Sequence, residues 1–394
     1  MNFYCFRRKN LKTYRVAILG CRGRGTAAAL AYHQHPRTEI VGLCDLVPER
    51  LNTLGEEVGV GALYRDLDEM IQQTEPDIVA IPTGTEFHYE LSMRVLEYGV
   101  HIDVEKPMCT ALEESDAVLA RAREKGVRIA VHHQGRTGAA LGALVRAVEE
   151  GRIGELRYLC GSGKGYYGGY GLMNIGTHML NNMLRLGGHC RSVTAQVLTD
   201  GRAIRPDDVL PAPSGMGFIA GEHITASLEF ERGITASLLQ HRFAKMDSNA
   251  YALEVIGSEG RLLWRGDAWW LPVPNFLPGL ENCEWQALEP VVPASYDPDG
   301  PASEPDYSYA DEYVNALDEG REHQSSGIEG GHVMEIMMAI FESGAIGERV
   351  QLPQKDRRHP LLRWRQEAGL GLPEAMPRGY HEWLEVEDKR LGRK

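Results

Sequence analysis

YRVAILGCRGRGTAAALAYHQH, residues 14–35, decides the fold. It opens as an apolar strand, passes through the glycine-rich turn CRGRG, and continues as an alanine-rich helix. The same order then recurs. EIVGLCD (39–45) is a second strand, followed by a helix from Pro48 to about Val58. IVAIP (78–82) is a third, followed by EFHYELSMRVLEYG, whose apolar spacing is that of an amphipathic helix ending at Gly99. VHIDV (100–104) is a fourth, followed by the helix ALEESDAVLARAREKG, and VRIAVHHQ (127–134) is a fifth. Strands and helices alternating in this way require right-handed parallel crossovers. Residues 14–133 are therefore predicted to be a doubly wound α/β domain with a parallel sheet.

After Gln134 the rhythm changes. A helix (139–150) leads to a strand, the loop SGKGYYGGYG (162–171) and a helix from about Asn174. SVTAQVLT, HITASLEFE and GITASLLQHRF alternate with period two, and the turn ERG pairs the last two as a hairpin; YALEVIGSEGRLLW follows. These segments predict a second α/β domain, 134–353, with a mainly antiparallel sheet covered on one face. Residues 271–306 read as a long proline-rich connection, and SYADEYVNALDEG and GHVMEIMMAIFESGAIG as helices closing that domain. Residues 1–13 read as an N-terminal tail, and the charged, proline-punctuated 354–394 as a C-terminal tail or arm in which QKDRRHP is a solvated face.

At 394 residues the chain is long enough for two cores, and 43% hydrophobic with 25% charged residues is the balance of a folded globular protein. A net charge of −13 with no basic block argues against a nucleic-acid partner. No apolar run approaches a membrane span, and the N-terminus has no apolar stretch long enough for a signal peptide. Seven scattered cysteines form neither a disulfide framework nor metal-ligand spacing, which suits a reducing compartment; the cytoplasm and no metal are expected.

The turn between the first strand and helix is predicted to hold a dinucleotide, the plainer alternative being a structural glycine turn. Gly20 permits the tight turn, Gly25 permits close helix packing, and the amides of residues 22–25 face a pyrophosphate. Arg22 replaces the middle glycine of GxGxxG, with Gly23 next to it and Arg24 opening the helix. Asp45 ends the second strand, 20 residues after Gly25, where a carboxylate accepts hydrogen bonds from the adenosine ribose and repels a 2′-phosphate. NAD is favoured over NADP, although Arg50 lies close in sequence.

HIDVEKPMC (101–109) runs from a buried strand into an acid, a lysine and a proline. Burying a lysine is costly unless something pairs with it or uses it. With the glycine turn, Asp45, IPTGTEFHYE (81–90), VEKPMC (104–109) and NIGTHML (174–180) in this order, the chain resembles the Gfo/Idh/MocA family over about 350 residues, ending near VQLP (350–353). The resemblance implies a Rossmann domain joined to an α/β domain with a large open sheet that often forms a homodimer or homotetramer interface. It also implies an NAD(P)-dependent oxidoreductase acting on a sugar, cyclitol or related polyol.

In such a protein Lys106 lies between substrate and nicotinamide, with Glu105 as its partner or as the brace of the strand end, and Pro107, often cis, aims it. Asn174 and His178 lie four apart and share a helix face. His178 is the acid/base, Lys106 polarises the carbinol oxygen, and Asn174 orients the imidazole. The family usually has aspartate at the Asn174 position, so charge support for imidazolium is missing here. Thr83 and His88 are expected to line the cofactor, and Gln134, Arg136 and Tyr166 to contact substrate; His241 and Arg242 are further candidates. His132 and His133 point to opposite faces of a strand. Two alternatives stay open: redox-neutral glycoside cleavage by oxidation, elimination and reduction, and a non-catalytic dinucleotide-binding regulator.

Overall fold

The computed structural model of the chain describes residues 11–273 and 284–393. Six parallel strands, β1 (Tyr14–Leu19), β2 (Thr38–Cys44), β3 (Leu63–Tyr64), β4 (Ile78–Ile81), β5 (His101–Glu105) and β6 (Ile129–His132), lie in the order β3-β2-β1-β4-β5-β6. Helices α1 (Arg24–Gln34), α2 (Pro48–Val58), α3 (Leu67–Thr74), α4 (Thr85–Glu97) and α5 (Leu112–Lys125) connect them. The predicted doubly wound sheet is present. Its strands read as continuous apolar runs because both faces are covered; β4 is buried along its whole length. The sequence reading lacked β3 and α3, since a two-residue strand shows no period. Strand order reverses between β1 and β4, and such sheets bind ligands at that point, beyond the carboxyl ends.

The second sheet follows the path Gln286–Ala287, Ala268–Leu271, Arg261–Trp264, Ala252–Gly257, Leu156–Ser162, Thr235–His241, His223–Phe230, Cys190–Thr199 and Val350–Gln351. Its described pairings are antiparallel except for Leu156–Ser162 with Thr235–His241. The predicted hairpin is in register from His223 opposite His241 to Glu229 opposite Thr235. Helices Thr177–Gly187 and Gly327–Ile346 cover the apolar face; Ala195 N donates to Ser343 Oγ at 2.8 Å across that layer. Among the described residues no helix is long and apolar enough to cross a membrane.

Two late segments depart from the sequence reading. The helix Glu304–Glu319 was expected to close the second domain, yet it packs on the first. Tyr307, Tyr309 and Tyr313 are fully buried, with Tyr309 donating to Asp103 Oδ1 at 3.0 Å and Tyr313 to the Ile102 carbonyl at 2.8 Å. Part of the proline-rich connection, 274–283, lies outside the described residues. Residues 354–393, expected to be a tail or arm, are tied down on the fold. They form helices Pro360–Glu367 and Tyr380–Arg390, with Leu361 and Trp383 fully buried. Arg357 in QKDRRHP is held by Asp116, its Nη2 donating at 2.8 Å, and by Glu335.

Candidate active site

The nucleotide side of the site begins where β1 ends. Gly20 has φ +110°, a conformation L side chains rarely adopt, and a Cβ on Gly25 would lie 1.9 Å from the Gly20 carbonyl oxygen. Both glycines are therefore obligatory for the turn. At Gly23, by contrast, a Cβ would meet nothing within 4 Å, so its side of the turn is open. A cavity of about 280 Å³ lies against it, bordered by Cys21, Arg22, Gly23, Thr26, Arg50 and Thr53.

Asp45 closes the turn from β2. Its Oδ2 accepts from Cys21 N and its Oδ1 from Val47 N, both at 2.8 Å. Each oxygen keeps acceptor capacity for a ribose hydroxyl. The Thr83 hydroxyl, after β4, is buried without a protein partner. An open anion cradle, a carboxylate with spare acceptors and an orphaned hydroxyl fit an NAD molecule. His88 serves differently from the expectation. Its Nδ1 lies 2.8 Å from the Pro107 carbonyl and its Nε2 3.2 Å from that of Thr83; burial lowers its pKa, and the neutral ring has one N–H to donate to one of these two carbonyls.

Arg24, expected on the cofactor, is committed to protein carboxylates: Nε to Glu105 Oε1 and Nη2 to Asp306 Oδ1, each at 2.6 Å. Glu105 uses its other oxygen to accept from Lys106 N at 3.0 Å, so it braces the strand end and leaves the ammonium free. The Lys106–Pro107 bond is cis. Lys106 Nζ reaches across to the second domain, where it donates to the Asn174 carbonyl at 2.9 Å and to Asn174 Oδ1 at 2.8 Å. An ammonium has three N–H bonds, so one remains for a substrate oxygen. Burial lowers the Lys106 pKa to about 8; Glu105 opposes the shift, while Arg24 and Lys164 add to it.

Asn174 sits in a single π-helical turn, Leu172–Gly176, that leads into Thr177–Gly187. Such turns recur at functional sites because they re-aim side chains. Its amide was expected to orient the imidazole. It holds Lys106 and Tyr170 instead, with Nδ2 donating to Tyr170 Oη at 3.2 Å. His178 lies edge-on to His133, ring centroids 5.5 Å apart. Burial, then the Lys106 charge, holds its pKa well below the ordinary imidazole range, so the ring is neutral.

Other expected contacts are distributed unevenly. Gln134 keeps a buried side-chain oxygen without a protein partner, which suits a substrate hydroxyl. Arg136 is engaged by protein partners: Nη1 donates to the Asn181 carbonyl at 2.6 Å and Nη2 lies 3.1 Å from Glu329. It ties two helices together. Tyr166 is half-buried in a cluster with Tyr170 and Tyr380. Arg242 pairs with Glu222 and Asp388, and His241 with the Thr225 hydroxyl.

Behind the site lies a buried ion network that sequence reading missed. His132 points inward, Nδ1 3.2 Å from Asp103 and Nε2 3.1 Å from Asp306, which also binds Arg24. His133 points the other way, to the Thr177 hydroxyl at 2.7 Å, so the expectation of opposite faces holds. Despite burial, the two carboxylates raise His132 to about 10. The adjacent HH was visible; the acidic partners, one of them 174 residues away, were not.

Residues 14–133 match the family model described as "Oxidoreductase family, NAD-binding Rossmann fold". The chain is 26% identical over 263 residues to a 1,5-anhydro-D-fructose reductase of Ensifer adhaerens, covering 65% of this chain and 77% of the relative. It is 21% identical over 365 residues to a scyllo-inositol 2-dehydrogenase (NADP(+)) of Bacillus subtilis strain 168, covering 85% and 95%. In fold it is similar to a levoglucosan dehydrogenase solved with NADH and levoglucosan, with TM-score 0.71, 21% identity and coverage of 86% of this chain and 100% of that one.

Proposed function

We propose that the chain is an NAD-dependent oxidoreductase of the Gfo/Idh/MocA family, a reading supported by the match of residues 14–133 and by the sugar and inositol oxidoreductases it is similar to, and that its substrate is a ring carbinol of a sugar, cyclitol or glycoside. Bound NAD supplies the hydride acceptor. The pyrophosphate would rest on the amides after Gly20, the ribose on Asp45 and the nicotinamide end near Thr83. The free N–H of Lys106 donates to the carbinol oxygen and stabilises negative charge that develops there. Neutral His178 takes the hydroxyl proton in oxidation and returns it in reduction.

The observation that supports this reading best is the crossing of Lys106 from one domain to Asn174 in the other, with a neutral His178 beside it. The test is NADH formation from NAD over a panel of polyols, sugars and glycosides. Stoichiometric NADH is expected with one class of ring alcohol. Glycoside cleavage without NADH would replace the reading with redox-neutral chemistry, and nucleotide binding without turnover would replace it with a regulatory one.

A pH profile follows from the lysine. Lys106 is charged below about 8, so turnover should fall as pH rises through that value. Asn174→Asp places a carboxylate on the ammonium and favours its charged form. The alkaline limb of kcat/KM should then move upward by about one pH unit. An unmoved limb would remove Lys106 from the titration.

A further inference from the structure

The C-terminal segment reaches the centre of the site. Helix Tyr380–Arg390 is anchored by Trp383, which is fully buried, donates from Nε1 to the Pro211 carbonyl at 2.8 Å and lies edge-on to Tyr167. One turn on, fully buried Glu387 accepts from Tyr167 Oη at 3.1 Å. These anchors fix the start of the helix over the cleft. The Tyr380 ring stacks on Tyr170 at 4.9 Å and 21° and meets Tyr166 edge-on at 5.0 Å. Its hydroxyl accepts from Tyr167 N at 2.8 Å. Tyr170 Oη in turn accepts from Asn174 Nδ2, and Asn174 Oδ1 accepts from Lys106 Nζ. Just before the helix, Arg378 makes a 2.5 Å ion pair with Glu86 in α4 of the nucleotide domain, and its carbonyl accepts from Ser214 N at 3.0 Å.

We infer that residues 378–383 form a third wall of the active site, in which Tyr380 is a positioning residue that fixes the Asn174 amide through Tyr170 and so aims Lys106. The inference rests on the proposed function for its catalytic consequence alone. The wall also sets the kind of substrate. The half-buried rings of Tyr166 and Tyr380 offer flat apolar surface with polar tips, matched to the C–H face of a hydroxylated six-membered ring and poorly matched to an open-chain polyol. Arg378 ties that wall to the first turn of α4 through Glu86, so substrate enters a cleft bounded by both domains and the C-terminal segment.

The test compares Tyr380→Ala with Tyr380→Phe, which keeps the ring and loses only the hydroxyl. The groups facing Lys106 are Glu105, Arg24 and Lys164 as charges, with His133 and His178 beside it, and neither substitution alters them. Three quantities are measured: kcat/KM on the ring substrate, NADH affinity, and the pH dependence of Lys106 modification by an amine-reactive reagent, followed by peptide mass spectrometry. Tyr380→Ala should lower kcat/KM at least tenfold and leave NADH affinity within twofold. It should also lower the apparent Lys106 pKa by half a unit or more, because an acceptor of the ammonium is released. Tyr380→Phe should stay within threefold of the parent.

Turnover and Lys106 titration both unchanged in Tyr380→Ala would overturn the inference. A Lys106 shift in a protein that turns over no ring alcohol would uphold the positioning while rejecting the proposed function. Should Tyr380→Ala not fold, Arg378→Gln breaks the Glu86 contact at an exposed side chain. It should raise KM for the ring substrate at least fivefold with kcat within twofold, and an unchanged KM would reject the wall.

Discussion

Lys106→Met is expected to reduce kcat/KM on the ring alcohol by about 10²–10³-fold, the range found when one preorganised donor to a developing oxyanion is removed. NADH affinity should stay within about twofold, since the cofactor would be held by the glycine turn and Asp45. Methionine keeps most of the side-chain volume, so the loss reads the donor rather than a cavity. The structure gives this result a sharper form. Two of the three N–H bonds are taken by Asn174, which leaves the third for a substrate oxygen. An added primary amine that enters the space left by a Lys106→Ala variant should therefore restore part of the rate. Turnover within tenfold of the parent in Lys106→Met would reject the assigned role.

The second large effect is on stability. Replacing His132 by Leu removes the cation that separates Asp103 from Asp306. Asp103 is 2% exposed and Asp306 5%, so both would be left buried without it. Breaking a buried ion group by deleting one partner costs about 3–5 kcal/mol, and urea unfolding should show a loss of that size. The pH dependence has a definite sign. His132 is raised from its ordinary value to about 10, so its contribution is complete below the unfolded imidazole pKa and is lost as pH rises through about 10. Asp306 is depressed, so its contribution is present above the ordinary carboxylate value and is lost only in strong acid. The variant should therefore lack the parent's alkaline loss. A loss below about 1 kcal/mol in urea would show that the carboxylates are not charged together.

Much of this was legible in the sequence, because local chemistry fixed it. The strand–turn–helix unit announces itself through Gly20 and Gly25, and the structure shows why: one has a positive φ, the other faces a carbonyl oxygen. The hairpin 223–241 was legible from period-two alternation and its short turn. Partnerships made across the fold were not. Asn174 was assigned to the imidazole because i and i+4 share a helix face. A π turn and a lysine from the other domain give the amide different neighbours. Arg136 reads equally as a substrate contact, at the junction where relatives bind substrate, or as an anchor for the next helix; its partners Asn181 and Glu329 lie on helices that only the folded chain brings together. Charge masked the C-terminal wall. Even so, Tyr380, Trp383, Leu384 and Glu387 fall on one helix face, a signal that composition alone overlooks.

The helix Glu304–Glu319 carries a consequence for how the molecule is made. It supplies Asp306 and three tyrosines to a nucleotide domain whose sheet ends at His132. A ribosome that has delivered all six parallel strands has not yet delivered the helix that completes their cover, and Asp103 and His132 are without Tyr309 and Asp306 until roughly 170 more residues emerge. The earlier half must wait, part-assembled, for the later one. Nascent chains released before that helix should bind chaperones and resist purification, whereas those extending past it should become protease-resistant in a single step.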